Sequence, residues 1–390
     1  MDPYFLMNKD NVAAVFEIDA SVQDVDTVFR MTEQSGKLPI GFRSLHEWVN
    51  GRKAMHGNMH LREIMRRFGC DTNLSFIEKT HVASISDTFW VKSARDSSKW
   101  EDVSLFRHPF SENVSYLSYR GRGDFTPEAY YFAPEMSCEG SFPRCFRRLD
   151  EKGQFGSDIY FYKRSGGYGR RVEPYCEMLS SMIAAAISPG NTVKYELDHL
   201  YERRASRCNL FTTEQYGYVS IGTACPGINT SMLSGLMQYF ANLGPSYEQQ
   251  FREMLVIDAL CLNRDRHTGN FGLLIDNETL EPVRYAPLFD FNLSLYYNVS
   301  DDDFGDLGKH LYRKRPQIGT DYIRAGQVAM NDALREKVEP LTRFSFEFAG
   351  DEHFSPERVA CLEQIVRKTA AALLSDKELT TVRAVEEGIL

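Results

Sequence analysis

Asn263–Asn270 reads NRDRHTGN, and Ala286–Ser294 reads APLFDFNLS. Between them lie Phe271–Ile275 (FGLLI), a short apolar run of strand type, the turn-forming Asp276-Asn277-Glu278-Thr279, and Pro282–Tyr285 as a return strand. Upstream, Phe251, Met254, Leu255, Ala259 and Leu262 recur at helical spacing. The order is therefore helix, polar loop, hairpin, acidic turn. It predicts that Asp265, Asn270 and Asp290 meet at one strand end. A carboxylate that takes or orients a hydroxyl proton, with an amide oxygen and a second carboxylate for a divalent cation, is the donor set of phosphoryl transfer.

Asp265 and Asn270 have the D-x-x-x-x-N spacing of a kinase catalytic loop. The spacing alone says little, because roughly one such match arises by chance in a chain of this length. The flanking pattern is what gives it weight. Otherwise Asp265 reads as a solvated loop carboxylate and His267 as a structural loop histidine rather than a proton shuttle. Arg266 either pairs with an acidic neighbour and fixes the loop, or faces solvent.

A phosphotransferase also needs a cation on the phosphates and a carboxylate to hold it. Gly156–Arg164 alternates like a strand, placing Ile159, Phe161 and Lys163 on one face. Lys163 is the candidate, against the alternative of a lysine snorkelling from a sheet edge. A Gly-rich basic loop, Ser165–Arg171, follows. Glu173-Pro174 then opens a helix that stops near Pro189-Gly190. On this helix Glu177 is chosen as the Lys163 partner, with Glu173 as competitor.

NRDRHTGNFGLLID…APLFDFNLSL resembles the catalytic and metal-binding segments of the HipA-like serine/threonine kinases. The DRH-x-x-N core is also similar to phosphatidylinositol kinases. The resemblance runs from about residue 81 to about residue 300, and more loosely to the end. It implies an α+β, two-lobed protein-kinase-like fold with ATP and magnesium as cofactors. Asp265 and His267 would be the catalytic groups and Asn270 and Asp290 the metal ligands. Lys163 and Glu177 would serve the nucleotide. It further implies that Cys138–Arg144 (CEGSFPR) is the phosphate-covering loop, with Ser141 as a regulatory autophosphorylation site and Arg144 or Arg147 as its basic residue. That loop has one glycine, a departure from the G-x-G-x-x-G of ordinary protein kinases. The implied partners are a protein substrate with a Ser/Thr acceptor and an antitoxin-like regulatory protein. A lipid or small-molecule acceptor, and a non-catalytic nucleotide-responsive binding module, stay open.

The chain has 390 residues, enough for two or three domains, with 43% hydrophobic and 13% aromatic content. The expected division is an N-terminal appended region of unknown role (1–120), a small β-rich nucleotide lobe (121–213) and a mostly helical catalytic lobe (214–390). A formal charge of -9 argues against nonspecific nucleic-acid binding. Arg62, Arg66 and Arg67, the Arg313-Lys314-Arg315 group and the acidic Asp301–Asp303 run read as solvated. The eight cysteines form no C-x-x-C and no zinc spacing, so they read as reduced, packed thiols. With no signal-like start and no membrane-length apolar run, the expected location is cytoplasmic.

Among local elements, strands are expected at Asn11–Ile18, Val193–Leu197, Tyr216–Ile221 and around Trp90, Trp100 and Val103–Phe106. Helices are expected at Val22–Met31, Leu45–Val49, His60–Phe68 with Gly69 as its stop, Gly326–Val338, and from Pro356 with Ser355 as cap.

Overall fold

The computed structural model describes residues 2–19, 27–53, 59–138, 140–166, 171–300, 303–304 and 315–390. Glu139, most of the Gly-rich loop at 167–170, Asp301, Asp302, Arg313 and Lys314 lie outside the described residues. The chain forms two compact units. The first contains Met1–Gly166, His199–Val219 and Leu274–Val283; the second contains Gly167–Asp198, Ser220–Leu273 and Arg284–Leu390.

The first unit begins with β1 (Tyr4–Asn8), β2 (Asn11–Ile18) and β3 (Phe29–Gln34), then α1 (Leu45–Arg52), α2 (Met59–Arg67) and α3 (Asn73–Thr80). β4 (Phe89–Ser93), α4 (Trp100–Val103) and α5 (Glu112–Arg120) follow. The first four strands make a sheet of order β3-β2-β1-β4. Alternation on β1 and β2 sends Leu6, Ala14 and Phe16 into a core shared with Leu45, Val49, Phe76 and Val114. Gly69 takes φ +64 just beyond α2, the left-handed turn that ends a helix. Arg62, Arg66 and Arg67 are exposed, as a solvated helix face requires.

Next come β5 (Arg144–Arg148) and β6 (Ile159–Arg164), then α6 (Glu173–Ile187), β7 (Tyr195–Leu200), β8 (Arg203–Asn209) and β9 (Tyr216–Ser220). α7 (Ile221–Ala224), α8 (Leu233–Leu243), α9 (Pro245–Cys261), β10 (Gly272–Asp276) and β11 (Pro282–Tyr285) lead to the helices α10 (Tyr322–Ala329), α11 (Asp332–Val338), α12 (Pro356–Leu374) and α13 (Thr381–Glu386). The other sheet orders are β5-β6-β8-β7 and β11-β10-β9. In the second unit α9 is the central helix. Phe251, Met254, Leu255, Val256, Ile257 and Leu260 are all buried on it. Phe240 of α8 stacks on Phe251 at 4.9 Å between ring centroids, and Tyr285 lies 5.1 Å from Phe240.

Four expectations change. The helix expected over Val22–Met31 is not formed at its C-terminal end, where β3 pairs with β2 in the register Ile18↔Phe29; residues 22–26 lie outside the described part. Sheet pairing outweighs the weak helical spacing there. Trp100–Val103 is one helical turn rather than a strand, because the Asp102 carboxylate accepts from the Lys99 amide at 2.9 Å and closes a local cap. Gly326–Val338 is two helices, since Asn331 caps α11 by accepting from the Leu334 amide at 3.0 Å. The stretch between the strands expected at Val193–Leu197 and Tyr216–Ile221 holds a further strand, β8, and the first of the pair sits later, at Tyr195–Leu200.

No disulfide joins the cysteines, and Cys176 and Cys261 are fully buried. Burial pushes the Cys70 thiol up to about 12, which makes it an inert packing group. Among the described residues no helix is long and apolar enough to cross a membrane.

Candidate active site

α9 ends where Leu262 turns into the left-handed region, φ 51. The polar loop that follows is built on Asp258, a carboxylate 5% exposed on the buried face of α9. Asn263, fully buried, donates from Nδ2 to Asp258 Oδ1 at 3.1 Å and accepts from the Asp265 amide through Oδ1 at 3.1 Å. The acidic residue is thus held at the start of the loop by a side chain anchored in the helix.

Arg266 decides the rest of the geometry. It is 1% exposed and donates to both Asp258 oxygens, the shortest contact being Nε to Oδ2 at 3.0 Å. Its other terminal nitrogen donates to the Asn270 carbonyl at 2.8 Å and the Phe289 carbonyl at 2.6 Å. The guanidinium also lies 5.0 Å from the Phe291 ring centroid. One buried cation therefore ties the C-terminal end of the loop to the residue before Asp290. Burial is the largest single influence and works against its charge, but Asp258, together with Tyr285 and Asp290, raises the Arg266 pKa above its ordinary value. The cation is permanent, and the pairing option for Arg266 is the one realised.

Asn270 is 6% exposed, and its Nδ2 donates to the Asp265 carbonyl at 2.9 Å. With the amide oriented that way, Oδ1 is the atom left for a ligand. Asp290 takes φ +61, a conformation that aspartate tolerates better than most residues, and its amide donates to Tyr195 Oη at 3.1 Å. Asp265 is half-buried, and its Oδ1 accepts from Gln317 Nε2 at 3.1 Å. Asp265, Asn270 and the Asp290 turn are thus linked through one set of hydrogen bonds. His267 is exposed, and its Nδ1 accepts from the Gly269 amide at 3.0 Å, so its ring shapes the loop turn.

Among the described residues no group of three or more His, Cys, Asp or Glu side chains could hold a metal. A carboxylate and an amide oxygen at a nucleotide site do not need such a group, because phosphate oxygens and water complete an octahedral magnesium shell. Hard oxygen donors of this kind fit that ion.

The phosphate-side candidates belong to the first unit. Lys163 on β6 is 8% exposed and stands directly opposite Arg144 on β5 and Ser206 on β8. Register partners share a sheet face, so the two cations point the same way. Arg144 is 2% exposed and donates to the Cys138 carbonyl, drawing the expected phosphate loop over itself. Gly140 passes beside the Arg144 guanidinium, and its φ of +133 lies in the region that favours glycine. Ser141 is exposed in the bend before β5. Arg147 instead pairs with Glu112 and donates to Tyr201 Oη at 2.9 Å. Beneath the loop, Glu135 is completely buried, and its Oε1 accepts from the Phe146 amide and Ser115 Oγ, both at 2.9 Å. Burial lifts the Glu135 carboxyl above its usual value despite these bonds and the Arg144 charge. Glu177 is fully buried on α6 in the second unit.

Asp258, Asn263, Tyr195 and Gln317 were not foreseen. A carboxylate inside the apolar stripe of α9 was the readable signal for Asp258. Tyr195 and Gln317 come from distant segments with no pattern to mark them.

The fold is that of the HipA-like kinases, a mixed α/β arrangement of small sheets and many helices. No family model matches the chain, and no curated protein matches it. Among solved structures it is similar to HipA of Shewanella oneidensis MR-1, determined as a toxin–antitoxin system with HipB and operator DNA. That likeness has a TM-score of 0.50 at 11% identity and covers 95% of this chain and 96% of that one. The Helicobacter pylori proinflammatory kinase CtkA is similar over 63% of this chain and 95% of its own, with a TM-score of 0.45 and 15% identity.

Proposed function

We propose that the chain is an ATP- and magnesium-dependent phosphotransferase of the HipA-like type, acting on a serine or threonine hydroxyl of a protein. The observation that carries this reading is the Arg266 bridge, which binds the Asn270 and Phe289 carbonyls to one buried guanidinium. An arrangement of that rigidity suits a reaction whose acceleration comes from positioning and charge neutralisation.

In this reading Asp265 orients the acceptor hydroxyl and takes its proton as the new oxygen–phosphorus bond forms. The bond from the γ-phosphorus to the bridging oxygen breaks, and ADP leaves. Asn270 Oδ1 and the Asp290 carboxylate hold magnesium, which neutralises phosphate charge when bound. Lys163 contacts the phosphates, Glu177 holds Lys163, and the Cys138–Arg144 loop covers them, with Ser141 as the regulatory hydroxyl. His267, oriented by the Gly269 amide at its Nδ1, is the second catalytic group of this reading. The segments 1–120, 121–213 and 214–390 would serve as appendage, nucleotide lobe and catalytic lobe. The HipA structure includes HipB, which favours an antitoxin-like partner for this chain as well.

The test is transfer from γ-labelled ATP with magnesium, offered in parallel to protein, lipid and small-molecule acceptors. Label on serine or threonine of protein, lost in Asp265→Asn, is the expected outcome. Label only on lipid or metabolite would replace the acceptor class. Nucleotide binding without ATP consumption would make the chain a binding module.

A further inference from the structure

Behind the Asp290 turn, in the same unit, lies a cavity of about 320 Å³ that uses none of the loop residues 263–270. Its size is that of a small-ligand pocket, and its lining is polar. Glu253 of α9 is 2% exposed there. Its Oε1 accepts from Lys337 Nζ at 2.5 Å, while its buried Oε2 has no hydrogen-bond partner among the described residues. A buried carboxylate oxygen left unpaired is costly unless something supplies a donor. At the rim stand Arg284, which is exposed, and Lys337, half-buried. One carboxylate against two cations leaves the pocket with a net positive charge.

We propose that this pocket binds a small organic anion that also carries a hydroxyl or amino donor, and that occupancy is transmitted to the Asp290 turn. The anionic group, carboxylate or phosphate, would meet Arg284, and the donor would face the Glu253 end. Asn191 supplies the connection. Its Nδ2 donates to Gln250 Oε1 at 2.8 Å and to the Ala286 carbonyl at 3.2 Å, and its Oδ1 accepts from Arg284 at 3.2 Å. Its carbonyl accepts from the Leu288 amide at 2.8 Å, two residues before Asp290. A ligand that engages Arg284 therefore acts on the residue that positions the strap leading to the metal turn. Binding at this pocket does not depend on the phosphotransferase reading.

The experiment is calorimetric titration of the full chain with L-glutamate and with glucose 6-phosphate. Glycerol and inorganic phosphate serve as probes that each lack one half of the required chemistry. At least one complete probe is expected to bind at least about tenfold more tightly than either half-probe. That affinity should fall at least about tenfold in Arg284→Ala and further in Arg284→Glu, both with unchanged melting temperature. Which complete probe binds separates carboxylate from phosphate as the anion. Hydrogen exchange at the Leu288 and Asp290 amides should slow on saturation. Failure of both complete probes to bind at about 10 mM, or binding that Arg284→Glu leaves unchanged, would overturn the site. Exchange that is unaltered at those two amides under saturation would overturn the connection.

Discussion

Arg266 is the residue on which the site depends most. Its partners are a buried carboxylate and two backbone carbonyls, so Arg266→Ala leaves Asp258 charged, buried and without its cation. Removal of one member of such a pair costs about 3–5 kcal/mol, and denaturant titration should show a loss of that size. Asp265→Asn, by contrast, should unfold at the same midpoint as the parent. A second residue-scale prediction concerns Glu135. Folding raises its pKa above the ordinary value of 4.5, so the native state holds the proton more tightly than the unfolded chain. The sign follows: its contribution is fully favourable below that ordinary value and is lost as pH rises through the raised one. Glu135→Gln removes this slope, so its stability relative to the parent should improve over the interval from the ordinary value of 4.5 up to the raised one. A difference between the two proteins that stays constant over that interval would refute the assignment.

Elements show why some of the molecule was readable in the sequence and some was not. α9, β10 and β11 announce themselves through apolar spacing and turn chemistry, and Asp265, Asn270 and Asp290 lie in the loops at their ends. The start of α12 was equally plain. Ser355 accepts from the Arg358 amide at 3.2 Å ahead of Pro356, and Ser355→Ala should cost about 1 kcal/mol in thermal or denaturant melts. β3 and β8 were hidden, because their conformation comes from neighbouring strands rather than from their own alternation: five of six β3 residues are exposed. α4 was misread because aromatic residues that favour strands, Trp100 first, were held in one helical turn by a local carboxylate cap. The hydrogen-bond partners of the site were the least legible part. Asn263 and Asp258 are close in sequence, but Tyr195 reaches Asp290 across 95 positions.

At the scale of the whole molecule, the chain passes repeatedly between its two units, each of which takes three separate stretches of the sequence. The candidate metal residues and the Arg266 bridge lie in the second unit, and Lys163 and Arg144 lie in the first. In the proposed reading, a bound nucleotide would stabilise the full chain. At one hundred times its dissociation constant, magnesium–ATP should add about 2.7 kcal/mol, seen as a rise in melting temperature that vanishes when magnesium is chelated. The measurement that bears most directly on the central claim is the initial rate of phosphate transfer from labelled ATP by the parent and by Asp290→Ala, with melting curves recorded on both. Transfer by the parent, nearly abolished in a variant that melts at the parent's temperature, is the predicted result. A folded Asp290→Ala protein that transfers phosphate at the parent's rate would contradict the account.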